Sequence, residues 1–141
     1  MEPLSTLSAS VQINQPLDLV WKAWTESEHI KNWHFALESW CCPQVCIDPQ
    51  EDGRFSYRME AKDGSMGFDF EGTFDEVRVG ELIRFTLDDG REVQVLFSSI
   101  DGGTEVKEIF EAEKQNPIEL QEQGWQAILN NFKFYVESLE P

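Results

Sequence analysis

The closing stretch NPIELQEQGWQAILNNFKFYVES, residues 116–138, decides how the rest of the chain must be arranged. Asn116 can cap a helix and Pro117 can take its first position. From there Trp125, Ile128, Leu129, Phe132, Tyr135 and Leu139 recur at three- and four-residue spacing, so one apolar face runs the length of a long helix to about Ser138. A face of that length must be buried against a surface of comparable size.

The sequence upstream supplies such a surface. From Val45 the chain alternates between apolar and polar residues over about 44–48, 54–61, 67–78, 81–88, 92–100 and 104–111, each run reading as a strand. Asp52-Gly53, Asp63-Gly64, Val79-Gly80, Asp89-Gly90 and Gly102-Gly103 lie between the runs. These are tight-turn residues, and links this short join antiparallel neighbours. A further strand, Thr6–Ile13, opens the chain. Asn14-Gln15-Pro16 breaks it, and Pro16 with Asp18 starts a short helix in which Leu17, Val20, Trp21 and Trp24 share a face. Thr25, with Glu28 three residues later, has the capping-box spacing, so a second short helix is expected through Ile30 towards Trp33. Ala36 to Pro43 loses periodicity and reads as an irregular loop. The class is therefore α+β: a curved antiparallel sheet of about seven strands wrapped around a long C-terminal helix, with two short helices between strands 1 and 2. At 141 residues a single domain spanning 1–141 is expected, its core at about 6–139.

Composition narrows the function. Lys and Arg number 11 against 27 Asp and Glu, a net charge of −16 spread along the chain, which disfavours nucleic acid and anionic membrane surfaces as partners. Ten Phe and five Trp supply more apolar volume than a disordered chain carries. Cys41, Cys42 and Cys46, odd in number and crowded together, do not form a disulfide framework and suit reduced thiols in a cytoplasmic protein. They read as small apolar residues entering a strand. With His34 they could in principle hold zinc, but adjacent cysteines without a Cys-x-x-Cys spacing make a poor ligand set, and no metal or cofactor is expected. His29 reads as a surface residue without an acid partner. The phosphate loop, dinucleotide fingerprint, Gly-x-Ser-x-Gly and His-Glu-x-x-His motifs are absent.

Strand alternation brings Phe55, Tyr57 and Met59 to one face, with Phe68, Phe70 and Phe74, and Val93, Val95 and Phe97, as matching sets. Their neighbours on the opposite face are charged or polar, so these apolar sets should line the concave side beneath the helix. Such a lining can enclose a pocket, or the same rings can interdigitate into a filled core. Gly72, in mid-strand, suggests a bend or bulge that would lift the sheet from the helix. Glu108 is in phase with Val106 and Phe110. Unless a bulge intervenes its carboxylate points inward, as a candidate polar anchor or proton acceptor. A pocket here would bring Trp21, Trp24, Tyr57, Phe70, Glu108, Trp125 and Phe132 against a small hydrophobic molecule.

The residues Pro16-Leu17-Asp18-Leu19-Val20-Trp21-Lys22-Ala23-Trp24-Thr25, the Trp33 region, Gly53-Arg54-Phe55, Gly67-Phe68-Asp69-Phe70-Glu71-Gly72 and Gly124-Trp125-Gln126-Ala127-Ile128-Leu129-Asn130-Asn131-Phe132 together resemble the family of proteins similar to the C-terminal domain of the activator of heat-shock protein 90 ATPase, in the START-like superfamily of helix-grip folds. Glu108-Ile109-Phe110 looks like the family's Glu-Thr-Phe element, with Ile in place of Thr. The resemblance runs over roughly residues 8 to 138. It implies a helix-grip fold and a hydrophobic ligand, possible roles in stress response or as a chaperone-associated interaction domain or homodimer, and, as in the superfamily's polyketide cyclases, an enzyme of cyclase or hydrolase type working through a buried carboxylate.

Overall fold

The computed structural model describes residues 5–139. Its elements are β1 (Thr6–Ile13), α1 (Leu17–Thr25), α2 (Ser27–Ile30), β2 (Trp40–Ile47), β3 (Arg54–Ala61), β4 (Gly67–Arg78), β5 (Leu82–Leu87), β6 (Glu92–Ile100), β7 (Gly103–Glu111) and α3 (Ile118–Glu137). The strands form one antiparallel sheet in the order β1-β7-β6-β5-β4-β3-β2. Successive hairpins account for every neighbour except β1, which returns to pair with β7. The connection through α1 and α2 carries the chain from one edge of the sheet to the other. The curled sheet gripping α3 is the helix-grip arrangement. No helix among the described residues is long and apolar enough to cross a membrane.

Alternation sets which faces meet α3. On β3, Phe55, Tyr57, Met59 and Ala61 are buried, as are Val93, Val95 and Phe97 on β6 and Thr104, Val106, Glu108 and Phe110 on β7. Two glycines permit close backbone approach. A Cβ on Gly72 would lie 2.4 Å from the Thr86 carbonyl oxygen, and one on Gly53 would lie 2.1 Å from that of Asp48. Gly72 itself pairs regularly with Phe55 and Leu87. The irregularity expected there lies instead between Phe74 and Glu76. At the β2–β3 turn Asp52, rather than Gly53, takes the left-handed conformation, with φ 68°.

Other boundaries differ from the sequence reading for identifiable reasons. Thr25 does not cap α2. Its Oγ1 donates to the Trp21 carbonyl at 2.9 Å, which keeps Thr25 inside α1 and leaves Glu26 at the α2 N-cap with no side-chain bond. α2 is correspondingly a single turn. β2 begins at Trp40, within the segment read as loop, and a register shift between Cys41 and Gln44 accommodates Pro43. Of the cysteines only Cys42 is buried, while Cys46 is exposed, so the three do not act together as apolar filler. Pro117, not Asn116, is the N-cap of α3. No side chain caps it, and Gln121 instead ties the preceding segment to the helix: its side chain accepts from the Glu113 amide at 2.8 Å and donates to the Glu113 and Asn116 carbonyls at 3.0 and 2.8 Å.

The C-terminal half of α3 is packed solid. Leu129, Phe132 and Val136 are fully buried with Val20, Ala23, Ile30 and Trp33. Phe132 meets Trp24 at 4.9 Å and Trp33 at 4.6 Å, both edge-to-face. The Trp33 indole donates to the Ala23 carbonyl at 3.1 Å. Gln15 fastens the end of the helix by donating to the carbonyls of Val136 and Leu139 at 3.0 and 2.8 Å.

Candidate functional site: an aromatic cavity with a buried carboxyl

The N-terminal half of α3 is different. Between Gln121, Gly124, Trp125 and Ile128 of the helix and the concave face of the sheet lies a cavity of about 340 Å³. The floor comes from Phe55 and Tyr57 of β3, Phe70 and Phe74 of β4 and Phe85 of β5, while Trp33, His34, Ala36 and Leu37 close one side. Leu37 and Phe68 both line the space and are exposed. With Trp40, whose ring lies 6.0 Å from that of Phe68, they form an apolar mouth. Alternation predicts Phe68 beneath the helix with Phe70 and Phe74, but its place at the start of β4 puts it at this exposed rim instead. Arg91 also lines the space, as do Gln121 and Gly124. A Cβ on Gly124 would touch nothing, so the helix leaves space there rather than filling it.

Polar groups are few on this wall. Glu108 is flanked in the sheet by Ala9 of β1 and Val95 of β6, so no bulge reverses its side chain, and it is only 6% exposed. Burial, with no compensating partner, pushes its carboxyl up to about 8, and it holds its proton at neutral pH. His34 is wedged against Tyr57 and Phe70 at ring distances of 4.9 and 5.0 Å. Burial lowers it to about 4, so the ring is neutral, and its buried Nδ1 has no hydrogen-bond partner among the described residues. The Tyr57 hydroxyl is held far above its ordinary range, again by burial first. Arg91 is held by Asp89, its Nε lying 2.9 Å from Oδ2 and 3.1 Å from Oδ1. Among the described residues no group of three or more His, Cys, Asp or Glu converges on a metal-sized site.

The profile of the family described as activator of Hsp90 ATPase homolog 1-like protein matches residues 14–137. The chain belongs to this family. An AHSA1-like protein from Aeromonas hydrophila, solved by NMR, is 44% identical, with 95% of this chain and 93% of that one covered and a TM-score of 0.90. A protein from Cytophaga hutchinsonii is 42% identical over 95% of this chain and 92% of its own, with a TM-score of 0.78. A crystal structure from Chromobacterium violaceum, 22% identical over 95% and 98% of the two chains at TM-score 0.84, shares the fold. No curated protein matches the sequence.

Within this family member, the residues singled out from the sequence divide into two groups. Trp24, Tyr57, Phe70, Glu108 and Trp125 are brought together on the cavity wall. Trp21 and Phe132 are not. Trp21 projects towards β6 and meets Phe97 edge-on at 5.0 Å, and Phe132, two turns along α3 from Trp125, lies in the solid half of the core. His34, weighed only as a metal ligand, is instead part of the aromatic wall. Its placement depends on the loop after α2, tied to α3 by the Asn131 side-chain amide donating to the Phe35 carbonyl. Trp33, Phe55, Phe74, Phe85, Gln121 and Gly124 also line the cavity. The inward phase of Phe55 and Phe74 was visible in the strand pattern. Gly124 carried a signal too, since an uncapped glycine inside a helix is unfavourable without a local reason. His29, read as a surface residue without an acid partner, is half-buried. Its Nδ1 lies 2.6 Å from the Tyr135 hydroxyl and its Nε2 4.0 Å from Glu26.

Proposed function

We propose that this domain binds a small hydrophobic molecule in the cavity between α3 and the sheet, entering past Leu37 and Phe68 and meeting Glu108 with a polar group. What supports the reading is the coincidence of a roomy aromatic space with polar atoms that have no protein partner. A volume of about 340 Å³ lies within the range of small-molecule sites, which are characteristically apolar with a few polar groups that set orientation. Buried polar atoms ordinarily have partners. The Nδ1 of His34 has none, and nothing but burial acts on Glu108. A ligand hiding on the order of 200 Å² of apolar surface gains about 5 kcal/mol before the entropic cost of association. A hydrogen bond to either orphan group adds orientation more than affinity.

The test is native mass spectrometry of the full chain purified from cells, repeated after organic extraction, with backbone-amide NMR during titration of the extracted protein with 1-decanol. A released apolar mass, or shift changes concentrated at Tyr57, Phe70, Glu108 and Trp125, is the expected result. No bound mass together with no localised shift changes refutes the reading.

A further inference from the structure

We infer that the cavity selects an amphiphilic base: a hydrophobic molecule whose protonated amine pairs with the Glu108 carboxylate among aromatic ring faces. This rests on the cavity reading above and adds the chemical class of the head group.

Three observations converge on a cation. Glu108 is an acid, 6% exposed, on the cavity wall and without an ion pair or hydrogen bond to any described residue, so an ammonium would find there an acid group that no described protein cation already pairs. The walls of the same cavity are aromatic, with Trp24, Trp33, Tyr57, Phe70 and Trp125 among its lining, and a ring face turned towards the space attracts positive charge through its quadrupole. The domain as a whole carries −16, a field that concentrates cations at its surface and repels anions. The guanidinium on the wall does not reverse this. Arg91 is already paired with Asp89, and Glu113 also lies close enough to act on it. A ligand carboxylate would meet a second carboxyl, and the Arg91 guanidinium on the same wall already has Asp89 as its partner.

Proton balance makes the inference measurable. In the empty cavity at neutral pH Glu108 holds its proton, since burial has raised it to about 8. When an ammonium head docks, Glu108 gives that proton to solvent and the carboxylate–ammonium pair remains. The groups facing the same space are His34 from the α2–β2 loop, Tyr57 from β3, Arg91 from the β5–β6 connection and the uncharged Gln121 from α3; β1 and β6 present Ala9 and Val95 beside Glu108. Burial keeps His34 neutral, lowered to about 4, and Tyr57 protonated. Below the Glu108 titration, binding therefore releases one proton, and affinity for the amine climbs roughly tenfold per pH unit between pH 5.5 and 7.

Isothermal titration of the full chain with decylamine, 1-decanol and decanoate, which share a tail and differ in head, decides the matter. Decylamine is expected to bind at least about tenfold more tightly than decanol at pH 7, with decanoate weakest. Glu108→Gln should bring decylamine down to the affinity that decanol has for the same variant and abolish its pH dependence. Surface association of an amine with an acidic protein would persist in Glu108→Gln, so a preference that survives the substitution overturns the inference. Equal affinity of wild type for decylamine and decanol also overturns it and leaves the cavity reading intact. Failure of all three probes to bind removes both.

Discussion

Glu108 should make the protein less stable as pH rises, and removing its acid should reverse that. Unfolded, the carboxyl titrates near its ordinary 4.5; folded, burial holds it at about 8. Below pH 4.5 both states are protonated and the group contributes nothing. Between the two values the unfolded chain has released the proton that the native state still holds, so the native state binds more protons and stability falls with pH. At 1.36 kcal/mol per pKa unit, the loss is about 1 kcal/mol at pH 5, about 3 kcal/mol at pH 7 and about 4 kcal/mol at pH 8. Glu108→Gln keeps the shape and cannot ionise. Burying an amide in place of a carboxylic acid adds an offset of its own, but that offset does not vary with pH. The stability of Glu108→Gln relative to wild type should therefore increase by about 2 kcal/mol between pH 5 and pH 7. Urea unfolding followed by tryptophan fluorescence at half-unit pH intervals measures it. A difference between variant and wild type that is flat across this range refutes the inward, unpartnered placement of the carboxyl.

His34 works in the opposite direction: its ring titrates at 6.5 when unfolded and at about 4 when buried, so its contribution is intact above pH 6.5 and is lost as pH falls. His34→Phe should escape a loss of about 2 kcal/mol between pH 7 and pH 5, read from the same urea midpoints as a gain over wild type on acidification. Gly72→Ala should cost about 2 kcal/mol or more, since the new Cβ meets a backbone carbonyl at 2.4 Å that cannot swing away; an unchanged thermal midpoint would contradict the close approach. Gly124→Ala should instead add about 1 kcal/mol, because a Cβ there meets open space and alanine is the better helix former. Tyr135→Phe, which removes the 2.6 Å contact with His29, should cost about 1 kcal/mol in chemical denaturation.

How legible the sequence was depended on the kind of signal. β3 and β4 match their expected spans because their alternation is strict and turn residues punctuate them at both ends. The inward phase of Glu108 could be read for the same reason: period two allows only one answer if the register is unbroken, and β7 pairs without a shift on both sides. β2 began too late in the reading because Trp40-Cys41-Cys42-Pro43 contains a proline and an irregular register, which erase the alternation from which a strand is recognised. The caps expected at Thr25 and Asn116 did not form because a cap depends on where the chain enters the helix as well as on residue type. Thr25 stays in α1 and turns back to the Trp21 carbonyl, and α3 starts one residue later, with Pro117 at its N-cap. His34 escaped notice as a wall residue because its position is fixed by a loop and by contacts with β3, β4 and α3, none of which local periodicity records.

Whether the aromatics enclose a space or fill it could not be read from their number, since the same rings serve either outcome. The determining feature is the volume available along the inward face of α3. In its C-terminal half that face presents Leu129, Phe132 and Val136, each fully buried and in contact with α1 or the sheet core. One to two turns earlier the corresponding positions are Gln121, Gly124 and Trp125. Gln121 is consumed in fastening the β7–α3 connection and Gly124 has no side chain. Trp125 stacks flat on Phe110 with ring centroids 4.1 Å apart and planes 7° from parallel, so its bulk lies along the β7 side of the floor. The strands opposite them, β3 to β5, are joined by tight hairpins into a curved surface that cannot follow the helix inward without breaking their register. The void is thus what remains when a helix carries too little side-chain volume in one half to meet a sheet whose curvature is set elsewhere. A carboxyl with no hydrogen bond to a described residue sits on its wall where a hydrocarbon would have been more stable, and together with the unpartnered His34 Nδ1 it is a physical reason to read this space as a site.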